Sequence, residues 1–226
     1  YYFAFGGLHS NPAKLVNSPR IHNKKQSRLD SDEMKELLTD VITGDALDDN
    51  KKPYARRSNM RDTAIIALLG GTGIRVSELV GIDLNDIDWE HNCIRIIRKG
   101  GNEDIVYFGD ELHRYLEDYI NYEREPGDDK EKALFVASRK EKGRLTVRSV
   151  ERIVSKYGAA TIPSKHLSPH SLRRTFGTNY YEETSDLYAV ADALGHKNIQ
   201  VTKDHYADIS ERKKQQVKEF SDKLLK

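Results

Sequence analysis

The sequence predicts a single, mainly helical domain with a small antiparallel sheet (α+β), preceded by a linker. Three observations carry this reading. Capped segments with apolar residues at helical spacing recur along most of the chain. Strand–turn–strand patterning is clear only between Cys93 and Phe108. The glycine-rich turn Gly70-Gly71-Thr72-Gly73 lacks the lysine of a phosphate-cradling P-loop, and no parallel sheet is predicted around it.

Composition bounds the rest. A chain of 226 residues suits one substantial domain or two small ones. Hydrophobic residues make up 37% and mean hydropathy is −0.72. No apolar run approaches the ~18 residues that read as a membrane span, so no membrane partner is expected. Cys93 is the single cysteine, which excludes an intrachain disulfide and a cysteine-based zinc site and fits a reducing cytoplasm. The chain opens on Tyr1 with no basic-then-apolar leader, and is expected to be a fragment of a longer protein.

Net charge is only +1, which by itself argues against a nucleic-acid partner. The signs are segregated, however. Arg20 to Arg28, Lys51 to Arg57 and Arg139 to Arg148 are basic, whereas Asp30 to Asp49 and Glu123 to Asp129 are acidic. Any one such run is ordinarily a solvated loop. Three basic runs together predict a binding face.

In order along the chain, residues 1–27 show no period, and Gly6-Gly7, Asn11-Pro12 and Ser18-Pro19 mark linker and turns. Asp30 to Glu33 caps a helix with Met34, Leu37, Leu38 and Val41 on one face, ended by Gly44. Residues 45–57 read as an exposed loop. A helix from Ser58 carries Ala64, Ile65, Ala67, Leu68 and Leu69 into the core, and Gly70 to Gly73 is expected to break it. The next helix starts near Ile74, placing Arg75 in its first turn with Glu78 three residues on. Residues 83–89 read as a turn region. Strands are expected over Cys93–Arg98 and Asp104–Phe108, with Lys99 at the hairpin tip. An amphipathic helix over Asp110–Glu125 turns Leu112, Tyr115, Leu116, Tyr119 and Ile120 inward, and Leu134 to Ala137 reads as a short strand. Thr146 caps a helix carrying Val150, Ile153 and Val154.

Pro169 suits the first turn of a helix in which His170 and Arg173, three apart, share a face. A further helix, Leu187 to Leu194, stops at Gly195, with His196 immediately after and a polar run leading to Tyr206. A charged segment from Ser210 closes the chain with Val217, Phe220, Leu224 and Leu225 in a thin stripe. Arginine matches phosphate oxygens with a rigid charged fork, histidine exchanges protons near neutral pH, and tyrosine is a possible covalent nucleophile. These parts suit phosphoryl transfer. From the stretch His166–Tyr206 alone, an ordinary helical core with surface His and Arg explains them equally well.

His170-Ser171-Leu172-Arg173, Leu194-Gly195-His196 and Tyr206 resemble the second active-site box of the tyrosine recombinases, the phage-integrase family. Gly73-Ile74-Arg75-Val76-Ser77-Glu78-Leu79 is similar to the first box. The order and spacing agree, and the likeness runs from about Arg28 to the C-terminus. A lone HxxR is weak; the ordered set is specific. The resemblance implies a catalytic domain over 28–226, with 1–27 as the linker trailing from a missing DNA-binding domain. It implies Tyr206 as nucleophile, Arg75 and Arg173 as phosphate ligands, and His170 as general base. Lys99 would be the general acid, His196 would hydrogen-bond the phosphate or position the nucleophile, and Glu78 would support Arg75. Helix geometry alone does not separate Arg173 from Arg174; the family's pattern selects Arg173.

The same resemblance implies double-stranded DNA as partner, no cofactor and no metal. It also implies a homotetramer on paired DNA sites and a monomer in free solution. The tail helix would dock either on its own domain or in a neighbouring protomer. Where many relatives continue Lys-Gly-x-Lys-x-Arg, this chain has Asn102, Glu103 and Asp104, so the return strand has lost its basic residues. Two other classes use related machinery: a type IB topoisomerase and a catalytically silent DNA-binding relative. The full set of six residues weighs against silence, and the small bacterial-type boxes weigh against the topoisomerase.

Overall fold

The computed structural model describes residues 28–55, 57–124, 132–137, 143–196 and Thr202. The first helix, α1 (Ser31–Thr43), begins where the capping residues place it. The Asp30 carboxylate accepts the amides of Asp32 and Glu33, and the Glu33 carboxylate accepts the Asp30 amide, so orphan donors at this end are satisfied reciprocally. Gly44 ends the helix in the left-handed region. The expected exposed loop over 45–57 is in part structured: it carries a one-turn helix, α2 (Lys52–Ala55), and buries Leu47.

The main core is built around α3 (Asn59–Thr72), in which every residue from Arg61 to Leu69 is buried. Its partners are α1, α4 (Val76–Gly81), α5 (Asp110–Asp118), α6 (Val147–Thr161) and α7 (Pro169–Thr184). The break expected within Gly70 to Gly73 comes at the last of these residues, and the helix runs on to Thr72. Met34 of α1 lies so close over Gly70 that a Cβ there would collide with it. The small residue permits contact between the two helices, and the break comes only at Gly73. Two carboxylates, Asp62 buried and Glu123 half-buried, lie at the opposite end of α3. The Asp62 side chain, 1% exposed, accepts from the Arg61 guanidinium and the Lys156 ammonium. The Glu123 carboxylate accepts the amides of Met60 and Arg61 at 2.8 and 3.3 Å.

The sheet has three strands rather than two: β1 (Ile87–Asp88), β2 (Cys93–Ile97) and β3 (Glu103–Tyr107), antiparallel in that order. β1 lies in the region read as a turn; two residues are too few for alternation to show. In the hairpin, Cys93 pairs with Tyr107 and Ile97 with Glu103. Residues 134–137 do not form a strand. Ala133 and Val136 make single bridges to Asp83 and Arg144, and Leu134 and Phe135 are buried between them. Arg144, in the basic run 139–148, bonds the carbonyls of Val80 and Ile82 and the Asp83 carboxylate, closing the C-terminal end of α4.

After α5 the chain makes a wide turn, Tyr119–Glu123, whose Tyr119 hydroxyl accepts the Val136 amide. Thr146 caps α6, and Val150, Ile153 and Val154 are buried. Ser168 caps α7, with Pro169 in its first turn. α8 (Leu187–Ala193) then turns back, and Val190 and Leu194 pack with Tyr181 in a small second cluster. No helix among the described residues is long and apolar enough to cross a membrane.

Candidate functional site

Four chain segments meet at one cleft: the α3–α4 junction, the tip of the β2–β3 hairpin, the start of α7 and the turn after α8. Its volume is about 1090 Å³, and Arg75, Lys99, His170, Arg173 and His196 are among the residues lining it. These five candidates lie as far as 121 positions apart in sequence (75 to 196). Tyr206, the sixth, lies outside the described residues, as do 1–27 and the tail.

Gly73 ends α3 with φ 66°, and its amide closes the helix on Leu69 O. A Cβ there would sit 2.5 Å from the Phe176 ring and 2.9 Å from Leu194, so both backbone sign and space demand glycine. The turn sends the chain into Arg75, which stands at the N-cap of α4 in extended backbone, one residue before the helix rather than inside its first turn. Glu78 is no exposed ion-pair partner. Its side chain is 2% exposed and grips Arg75 twice, accepting the Arg75 amide at 2.8 Å and Nη1 at 2.7 Å. Arg75 Nη2 reaches Gly195 O at 3.4 Å.

Arg173 is held differently. Its residue is 6% exposed, with Nη1 donating to Gly73 O at 2.5 Å and Nη2 to Leu194 O. Carbonyls from the two turns therefore aim this guanidinium. His170, one turn earlier on α7, is exposed at the cleft. Gly195, at φ 59°, makes the turn that brings His196 in; the His196 amide donates to Ala191 O at 2.9 Å. His196 Nδ1 shares a hydrogen bond of 2.7 Å with the hydroxyl of Thr202, which is fully buried. Of the tyrosines nearer in sequence, Tyr181 is buried and Tyr180 stacks on Phe176 at 5.7 Å, as a packed helix predicts.

Three participants escape the sequence motifs. Arg98 is buried beside the cleft and bonds Glu78, Asp104 and Ala193 O. Its signal is the two-residue period of β2: Ile94 and Ile96 face inward, and so does the next residue of that parity. Asp104 is the partner that β3 supplies. Thr202 sits in an unpatterned polar run.

A concave site with two oriented guanidiniums, a lysine and two histidines, set on a mainly helical domain, has the chemistry to hold an oxyanion with proton-transfer groups beside it. The phage integrase family model matches residues 27–213. The chain belongs to that family. Tyrosine recombinase XerC of Vibrio cholerae serotype O1 is 36% identical over 197 residues, covering 87% of this chain and 59% of the relative. XerC of Corynebacterium glutamicum gives the same identity and coverage. The chain thus spans about three fifths of the length of these curated relatives. In fold it is similar to XerH site-specific recombinase in its post-cleavage complex with palindromic difH substrate, at TM-score 0.70 and 22% identity, covering 88% of this chain and 55% of that one. XerA recombinase gives TM-score 0.66 and 25% identity, covering 81% and 61%.

Proposed function

We propose that this chain is the catalytic part of a site-specific DNA recombinase, cutting and rejoining strands through a 3′-phosphotyrosine link. The observation that carries the proposal is the convergence of Arg75, Lys99, His170, Arg173 and His196 on one cleft. The Tyr206 oxygen attacks the scissile phosphorus, giving its proton to His170, and the P–O5′ bond breaks. Arg75 and Arg173 meet the charge that grows on the non-bridging oxygens; donors fixed in advance stabilise that state without reorganising. Lys99 protonates the departing 5′ oxygen. Because the phosphotyrosine replaces one phosphodiester with another ester, rejoining needs no external energy source. The substrate is double-stranded DNA; difH DNA bound to XerH supports this reading.

A nicked suicide duplex, from which the cut strand escapes, tests the reaction. The arginines supply the positive charge that Mg²⁺ supplies in many nucleases. The covalent adduct is therefore expected to accumulate in excess EDTA. Loss of the adduct on chelation, restored by Mg²⁺, would place the chain in another nuclease class. No adduct under any condition would mark a silent relative.

Arg75→Lys and Arg173→Lys keep the charge but lose the fork. Cleavage should fall about 10²–10³-fold, the usual cost of one oriented donor, with DNA affinity changing far less. Wild-type cleavage by Arg75→Lys would make Arg75 a structural ion-pair residue.

We propose further that the chain works as a homotetramer on paired sites and is monomeric in free solution. A tail helix with the thin stripe Val217, Phe220, Leu224 and Leu225 suits reversible docking on a neighbouring protomer. Deleting residues 211–226 should then leave one-site binding intact and abolish cooperative binding to paired sites, read by gel shift. Unfolding of the truncated chain would mean that the helix packs on its own domain.

A further inference from the structure

We propose that Arg98 is a positioning residue for Lys99, and that Asp104 completes the device. The proposal rests on the reading of Lys99 as general acid. Arg98 is 8% exposed, and its guanidinium makes three bonds in three directions. Nη1 donates to Glu78 Oε2 at 3.1 Å, Nη2 to Ala193 O at 3.1 Å, and Nε to Asp104 Oδ2 at 2.8 Å. Those partners belong to α4, the end of α8 and β3. One side chain thus ties the hairpin to both walls of the cleft. The fit is close: a Cβ on Gly195 would lie 2.8 Å from Arg98 Cζ and Nε, so the α8 turn leaves just enough space for the guanidinium.

The consequence for Lys99 follows from covalent adjacency. An isolated two-stranded hairpin is marginally stable, and its tip moves most. Here the chain on either side of the tip is held. The Arg98 amide donates to Asn102 O at 2.8 Å, and Gly101 N donates to Arg98 O at 3.0 Å. Lys99 is exposed on the cleft wall while its backbone root is fixed to a buried, three-way anchored neighbour. A general acid must stand within hydrogen-bond reach of the leaving oxygen, and small displacements are costly in rate. The acidic Asp104 thereby gains a purpose. Loss of a basic residue at this place in β3 supplies the countercharge that holds Arg98, so the hairpin is positioned by an internal ion pair.

The test uses the full chain and two suicide duplexes that differ in one atom: an ordinary P–O5′ scissile bond, or a sulfur in place of the 5′ oxygen. A thiolate leaves without a proton, so a defect in proton delivery disappears on the sulfur substrate, whereas a defect in phosphate binding or nucleophile alignment persists. Lys99→Ala calibrates the assay, with a loss on the order of 10²-fold or more on oxygen and recovery on sulfur. Arg98→Met, similar in length and uncharged, should lose at least about 10-fold on oxygen and recover on sulfur. Asp104→Asn removes the countercharge from the hairpin arm alone, keeping an acceptor, and should show the same pattern, more weakly, while retaining the fold because its side chain is 43% exposed. Arg98→Lys should rescue in part. Equal losses of Arg98→Met and Asp104→Asn on both substrates, or no loss in either, would overturn the proposal. Failure of Lys99→Ala itself to recover on sulfur would instead refute Lys99 as the acid.

Discussion

Tyr206→Phe is expected to abolish the covalent DNA adduct while leaving binding of a single site within a few fold of wild type. The change removes one oxygen, the atom proposed to bond phosphorus, and keeps the ring. Denaturing gels after incubation with the suicide duplex check the outcome. An adduct surviving in Tyr206→Phe would assign the nucleophile to another residue.

The second large effect is expected at Glu78. Its carboxylate is the shared counterion of Arg75 and Arg98, bonded to both guanidiniums at 2.7 and 3.1 Å and almost wholly buried. Glu78→Ala leaves two cations facing each other, of which Arg98 has a side chain only 9% exposed. Removing one partner of a buried pair typically costs about 3–5 kcal/mol, because the other charge stays desolvated. Urea denaturation should show a fall of that size, and cleavage should fall further still because Arg75 loses the group that orients it. Glu78→Gln, which keeps an acceptor but not the charge, should lie between. A loss below about 1 kcal/mol in Glu78→Ala would mean the pairs behave as solvated surface contacts.

The sequence by itself determined the helices that carry their own start and stop chemistry. The Asp30 box, Thr146, Ser168-Pro169 and the stops at Gly44, Gly73 and Gly195 are local events, settled by side chains within a few residues of the backbone groups they satisfy. The hairpin over 93–107 was legible for the same reason, since alternation and turn lie in one short segment. The candidate residues were legible as types in an ordered pattern.

What brings them together was not legible. The close seat of Met34 on Gly70 joins residues thirty-six positions apart, and the fate of 134–137 depends on loops at 82–83 and 144–145 that claim its backbone groups. Arg173 is aimed by Gly73 O and Leu194 O, and Glu78 is converted from a local partner of Arg75 into the hub of two arginines by Arg98, twenty positions on. Asp104 read as a lost basic residue until its carboxylate met Arg98. Each of these is a contact between groups remote in sequence, where desolvation forces charges and carbonyls to find partners that only chain packing can supply.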